Sequence, residues 1–150
     1  MREIKFRAWE EKGKDMIYSN RGNFVIELDG KCSFIEWGTD YFKAMPDLVL
    51  MQFTGLKDKN GKEIYEGDIL KTHFGKTIGR GTKWIERLSL IEWNEDDLGF
   101  EVKTIIDKQI TIKEVENELL GKSEIIGNIY ENPEMLDALQ VSGEQNEEEI

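Results

Sequence analysis

A chain of 150 residues with 39% hydrophobic and 10% aromatic side chains can fill the interior of one domain, or of two small ones sharing a core. Its 34% charged residues are mixed in sign, which excludes wholesale intrinsic disorder. The net charge of −11 opposes a general phosphate-binding surface, and the single cysteine, Cys32, excludes an intrachain disulfide or a Cys-based metal cluster.

Period-two alternation broken by glycine-containing turns predicts antiparallel strands through most of the chain. Ile4, Phe6 and Ala8 alternate with Lys5, Arg7 and Trp9, and the polar stretch 10–14 turns the chain toward Met16, Ile17 and Tyr18. Phe24, Ile26 and Leu28 share one strand face. Asp29-Gly30 then suits a type I′ turn, with Cys32 and Phe34 returning on the partner strand. Residues 40–45 read as a helical turn stopped by Pro46, and 48–53 as a buried strand. Asn60-Gly61 marks a second hairpin, Glu66-Gly67-Asp68 a turn into a strand bearing Ile69, and the glycine-rich stretch 75–83 an exposed loop.

The same style continues beyond it. A long strand runs from Trp84 to Trp93, its apolar parity changing between Leu90 and Ile91 as at a bulge. Residues 94–99 form a loop, and Phe100, Val102, Thr104 and Ile106 alternate on the next strand. Thr111 and Glu114 have capping-box spacing, with Ile112, Val115 and Leu119 at helical intervals, so one short helix is expected near 113–120. Residues 125–130 give a last strand. Asn132 as N-cap and Pro133 at the first helical position open a helix over 133–140. The fold class is therefore mostly β (β-rich α+β), built of antiparallel hairpins. The order of elements in the carboxy-terminal half resembles a small SH3-like barrel. One domain over 1–141 is expected, with subdomains 1–56 and 57–141, before an acidic, disordered tail at 142–150.

Three segments, IKFRAWEEKGKDMIY, LMQFTGLKDKNGKEIYEGDIL and IIGNIYENPEML, resemble YopX-family proteins in sequence and order. Phe53 departs from the Tyr common in that family. The resemblance implies a β-rich protein encoded by phages or prophages of bacteria, with no assigned reaction. Its signature residues read as structural: Gly55, Asn60, Gly61, Tyr65, Gly67, Asp68, Asn132 and Pro133 are suited to turns, packing and capping.

Motifs for chemistry fail on spacing. Gly75-Lys76-Thr77 lacks the P-loop glycine, since Leu70 holds that place. Asp58-Lys59-Asn60-Gly61 puts glycine at position four and Ile69 at position twelve of a calcium loop, which needs Gly at six and Glu at twelve. His73 is the only histidine and has no partner at motif spacing, and Cys32 follows the apolar parity of its strand. Glu95, Asp96 and Asp97, with Glu92 and Glu101, could hold Mg²⁺ but read first as a solvated turn.

A basic island stands out. Lys71, Lys76, Arg80, Lys83 and Arg87 face only Glu86 across 71–87, and Trp84 could stack on a base. No cofactor or catalytic residue is implied. The leading expectation is a non-enzymatic accessory protein in the bacterial cytoplasm, a β-rich binding or assembly module. Trp9, Trp37, Trp84 and Trp93 and the need to cover strand edges favour a homo-oligomer, with a phage or host protein as another partner. The chain contains no apolar run of signal-peptide or membrane-spanning length, so no membrane partner is expected. The first alternative is nucleic-acid association through 71–87. The second is a metal-assisted enzyme using the acidic 92–101 region.

Overall fold

Alternating side chains and short polar turns produce an antiparallel β architecture with two short helices. The computed structural model describes residues 3–18, 24–35, 38, 42–45, 47–106, 109–114 and 117–140. The chain divides into two compact units, Met1–Phe53 and Thr54–Ile150. No helix among the described residues is long and apolar enough to cross a membrane.

In the first unit, β1 (Phe6–Glu10) pairs with β2 (Asp15–Tyr18) through a turn whose amides at Lys12 and Gly13 donate to the Glu10 carboxylate. A second sheet holds β3 (Phe24–Ile26), β4 (Cys32–Ile35) and β5 (Phe42–Ala44) in that order. The expected helical turn at 40–45 is overturned: residues 42–44 pair with β4 through Ser33↔Ala44 and Ile35↔Phe42. Satisfying an open sheet edge outweighs a weak local helical preference over so few residues. β6 (Leu48–Lys57) then pairs with the other edge of β1. Alternation fails along β1, where Arg7, Ala8 and Trp9 are all buried while Ile4 is 67% exposed. Period two requires one wet face, and this strand is covered on both. Trp37 and the tail 142–150 lie outside the described residues.

Both glycine hairpins close by one geometry that differs from the type I′ turn expected at Asp29-Gly30. Within these two turns only the glycines, Gly30 and Gly61, take positive φ, +83° and +80°. Gly30 N–H donates to the Glu27 carbonyl and Glu27 N–H to the Lys31 carbonyl, while Gly61 and Asp58 repeat the pattern with Asp58 and Lys62. These are three-residue loops, a tight turn followed by a left-handed glycine. An aspartate helps to fix each one. Lys31 N–H donates to Asp29 Oδ1 (3.2 Å), and Asn60 and Lys62 N–H donate to Asp58 Oδ1 (2.8 and 2.9 Å).

The second unit begins inside β6, at Thr54, and the next residue, Gly55, takes a φ of +88° at which a side chain would be strained. The end of β6 neighbours β7 (Glu63–Tyr65). A five-stranded sheet follows, built from β8 (Asp68–Ile78), β9 (Gly81–Asn94), β10 (Gly99–Ile106), β11 (Gln109–Glu114) and β12 (Glu124–Asn128), ordered β11-β10-β9-β8-β12. Helix α1 (Asn117–Leu120) precedes β12, and α2 (Pro133–Gln140) follows it.

Three expectations fail here. The capping box at 111–114 lies in β11, paired with β10, so the short helix begins at Asn117 rather than near 113. The stretch 75–83 is a paired hairpin, in register from Ile69↔Leu90 to Ile78↔Gly81, where a loop was expected. No bulge separates Leu90 from Ile91. Both are buried, on opposite faces: Ile91 packs with Ile64, Leu70, Val102 and Leu120, and Leu90 packs with Ile69 beneath Ile126, Ile129 and Met135. The parity change marks a strand covered on both sides. The register shift falls in β12 instead, between Ile125 and Gly127.

Asp58 ties the β6–β7 hairpin to β12. Its buried carboxylate also accepts Ile125 N–H at Oδ2 (3.1 Å), while Lys59 N–H donates to the Ser123 carbonyl. Burial pushes the Asp58 pKa up, but the amides of Ile125, Lys62 and Asn60, with the Lys62 charge, bring it below its ordinary value. Replacing Asp58 with Ala should cost about 3 kcal/mol in urea unfolding, because three amides lose a charged acceptor. In wild type the carboxylate's contribution is complete above the ordinary aspartate pKa and is lost as pH falls through the lowered folded value. The alanine variant should lack that part of the acid limb; identical acid limbs would contradict the assignment.

Candidate functional site

Strands β8 and β9 are longer than their neighbours. β12 pairs with β8 only as far as Lys71, and β10 pairs with β9 only as far back as Leu88. Residues 72–87 therefore leave the sheet as a two-stranded arm, with no further strand paired to either side among the described residues. Residues 75–84 are all exposed. Seven extended residues per strand give the arm a length of roughly 23 Å.

Strand alternation sorts the predicted basic residues. Lys76 pairs directly across from Lys83 and Thr72 from Arg87, so these four share one face with Phe74 and Ile85. The Arg87 guanidinium lies over the Phe74 ring, 4.5 Å from its centroid, which commits it to the stem. Lys71, His73, Trp84 and Glu86 occupy the other face. There Glu86 takes Lys71 (3.1 Å) and lies 3.4 Å from His73 Nε2. Trp84, 70% exposed, lies against Gly75, its ring atoms 3.6 and 3.7 Å from where a Cβ would stand. The island is thus divided. Lys76, Arg80 and Lys83 crowd the distal end with no acidic partner among the described residues, and Trp84 faces the opposite way.

The opposite end of β9 has the opposite charge. Glu95, Asp96 and Asp97 are exposed in the β9–β10 turn. Asn94 organises that turn: its Oδ1 accepts the amides of Asp96 and Asp97 (2.8 and 3.1 Å), and its Nδ2 donates to Glu101 (2.7 Å). Glu92 pairs with Lys103 at 3.0 Å. Glu92 and Glu101 are held by their own partners, and the described residues contain no metal-ligand cluster.

Cys32 is buried, and burial pushes its thiol pKa up, away from a reactive thiolate. It borders an apolar cleft of about 280 Å³ in the first unit, lined also by Ile4, Phe6, Ile17, Phe24 and Leu50. The signature residues fall on structural tasks. Tyr65 N–H donates to the buried Asp68 carboxylate (2.8 Å) and Tyr65 Oη to Glu63 (2.9 Å). Gly67 N–H donates to the Ile91 carbonyl and accepts Ile129 N–H at its own. Asn132 precedes Pro133, the first residue of α2; its carbonyl accepts Met135 N–H, and its side chain turns back to Asn128 N–H (3.3 Å). Sequence reading missed the acceptor roles of Asp58 and Asn128 and the buried hydroxyl pair Thr72–Ser123 (2.6 Å). Only Asp58 left a signal, an aspartate two residues before Asn60-Gly61.

The family model described as YopX protein matches residues 5–137. Two solved structures are similar. Protein yopX from Bacillus subtilis is 21% identical with a TM-score of 0.54, covering 91% of this chain and 97% of that one, a likeness of fold. Protein EF1440 from Enterococcus faecalis is 26% identical with a TM-score of 0.48, covering 91% and 99%. No curated protein matches.

Because the arm's distal residues are all exposed, the sheet should stand without them. Replacing residues 75–84 with a two-residue turn, which keeps Phe74 opposite Ile85, should change unfolding free energy by less than about 0.5 kcal/mol. A loss of several kcal/mol would show the arm to be part of the core.

Proposed function

The chain belongs to the YopX family, and from that membership and its own geometry we propose a non-enzymatic accessory protein of phage or prophage origin, acting in the bacterial cytoplasm as an assembly module. The β8–β9 arm is its binding element and a second copy of the chain its partner. One observation carries this reading: residues 72–87 extend past both neighbouring strands, with an exposed Trp84 and three distal cations. Five cations against Glu86 make 71–87 +4, which leaves −15 on the remainder of the −11 chain. An acidic protein carrying a basic arm is complementary to itself.

The non-enzymatic part rests on how the buried polar groups are used. Asp58, Asp68 and Asn128 accept backbone amides. Groups held in that way fix loops and are not poised for proton transfer or nucleophilic attack. The strand order β11-β10-β9-β8-β12 supports treating the second unit as a small SH3-like, barrel-type scaffold that carries the arm.

Nucleic acid is the second reading. A two-stranded ribbon matches the width of a major groove, and Lys76 opposite Lys83 places two cations side by side. The −15 remainder repels phosphate, so assembly is preferred. Light scattering should give a mass above the monomer for wild type and a monomer for the variant shortened at 75–84. Equal masses would remove the assembly reading. Binding of labelled duplex at low salt, lost on Arg80→Glu with Lys83→Glu, would put nucleic acid in its place.

A further inference from the structure

β9 is a strand with oppositely charged ends. Its first residues lie in the arm, where Lys76, Arg80 and Lys83 contribute three positive charges and 75–85 contains no acid. Its last residue opens the β9–β10 turn, where Glu95, Asp96 and Asp97 contribute three negative charges and 94–99 contains no base. Fourteen extended residues set the two ends roughly 45 Å apart. At physiological ionic strength charges interact over about 8 Å, so the ends cannot neutralise each other within one chain.

Apolar exposure follows the same two ends. Among the described residues of the second unit, the exposed large hydrophobics are Ile78 (56%), Trp84 (70%), Trp93 (39%) and Leu98 (75%). Ile78 and Trp84 belong to the basic end, and Trp93 and Leu98 to the acidic one. Each end thus pairs a charge cluster with uncovered apolar side chains. Exposed ion pairs contribute little individually, but they orient an encounter that aromatic contact then holds.

Resting on the assembly reading, we infer that the arm of one copy docks on the acidic β9–β10 turn of another, giving head-to-tail association. The contact joins unlike surfaces, so each docked pair keeps one free arm and one free turn. Association therefore continues into a chain or closes as a ring.

Sedimentation velocity at low ionic strength tests this with two charge-reversed proteins, Lys76→Glu/Arg80→Glu/Lys83→Glu and Glu95→Lys/Asp96→Lys/Asp97→Lys. Wild type should form species larger than a dimer, and each variant alone should associate at least about tenfold more weakly. An equimolar mixture should give hetero-oligomers in 1:1 proportion, because one variant keeps a native turn and the other a native arm. That complementation separates a lost surface from a misfolded variant. A protein carrying all six changes should associate again. If the arm variant is monomeric while the turn variant behaves as wild type, the head-to-tail inference falls and the assembly reading stands. A monomeric wild type removes both. No hetero-oligomer in the mixture, or labelled duplex DNA displacing the wild-type contact, overturns the inference.

Discussion

The arm exists because two strands continue after their neighbours have stopped, and that is tolerable only if their base cannot shift. A two-stranded ribbon is marginal in water. β8 is therefore fixed where it enters: Ile69 and Leu70 are fully buried on opposite faces, and β9 and β12 flank it. β12 is held in turn by Asp58, whose carboxylate takes an amide from Ile125, 67 residues away. The buried Thr72–Ser123 hydroxyl pair closes the same corner. One aspartate thus links the β6–β7 hairpin to the strand beside which the arm begins.

The consequence is a division of labour within one strand pair. Below Arg87, β8 and β9 carry core residues; beyond it, every side chain from 75 to 84 meets solvent. Lys76 directly across from Lys83 is a like-charge pair, a small local cost in a hairpin. Lysines on open edges guard against indiscriminate strand pairing. They also favour acidic partners, and the −15 on the remainder of the chain is what supports the proposal of a second copy. In the proposed docking, the uncovered Trp84 and Leu98 would add the apolar contact that exposed charges cannot supply.

Much of this was legible in the residues. Strand character, the hairpins at Asp29-Gly30 and Asn60-Gly61, and the division of charge all follow from local chemistry. The failures share a cause. Thr111 to Glu114 has a helix-start pattern yet joins β11, because β10 offers an unpaired edge. The glycines at 75, 79 and 81 read as a loop, yet all ten residues from 69 to 78 find cross-strand partners, and the Trp84 ring lies against Gly75. Leu90 and Ile91 looked like a slipped register because both faces of β9 are buried. Local pattern cannot report a distant partner. The basic residues were visible as a cluster, but their division between two faces and their opposition to Glu95–Asp97 along β9 needed the register.

Hydrogen–deuterium exchange of the unmodified protein at low and high concentration tests the central claim most directly. Head-to-tail docking predicts that raising concentration slows exchange in two separated segments, about 75–85 and 94–99, with the remainder of the second unit unchanged. Slowing in the arm alone, or no concentration dependence in either segment, would contradict it.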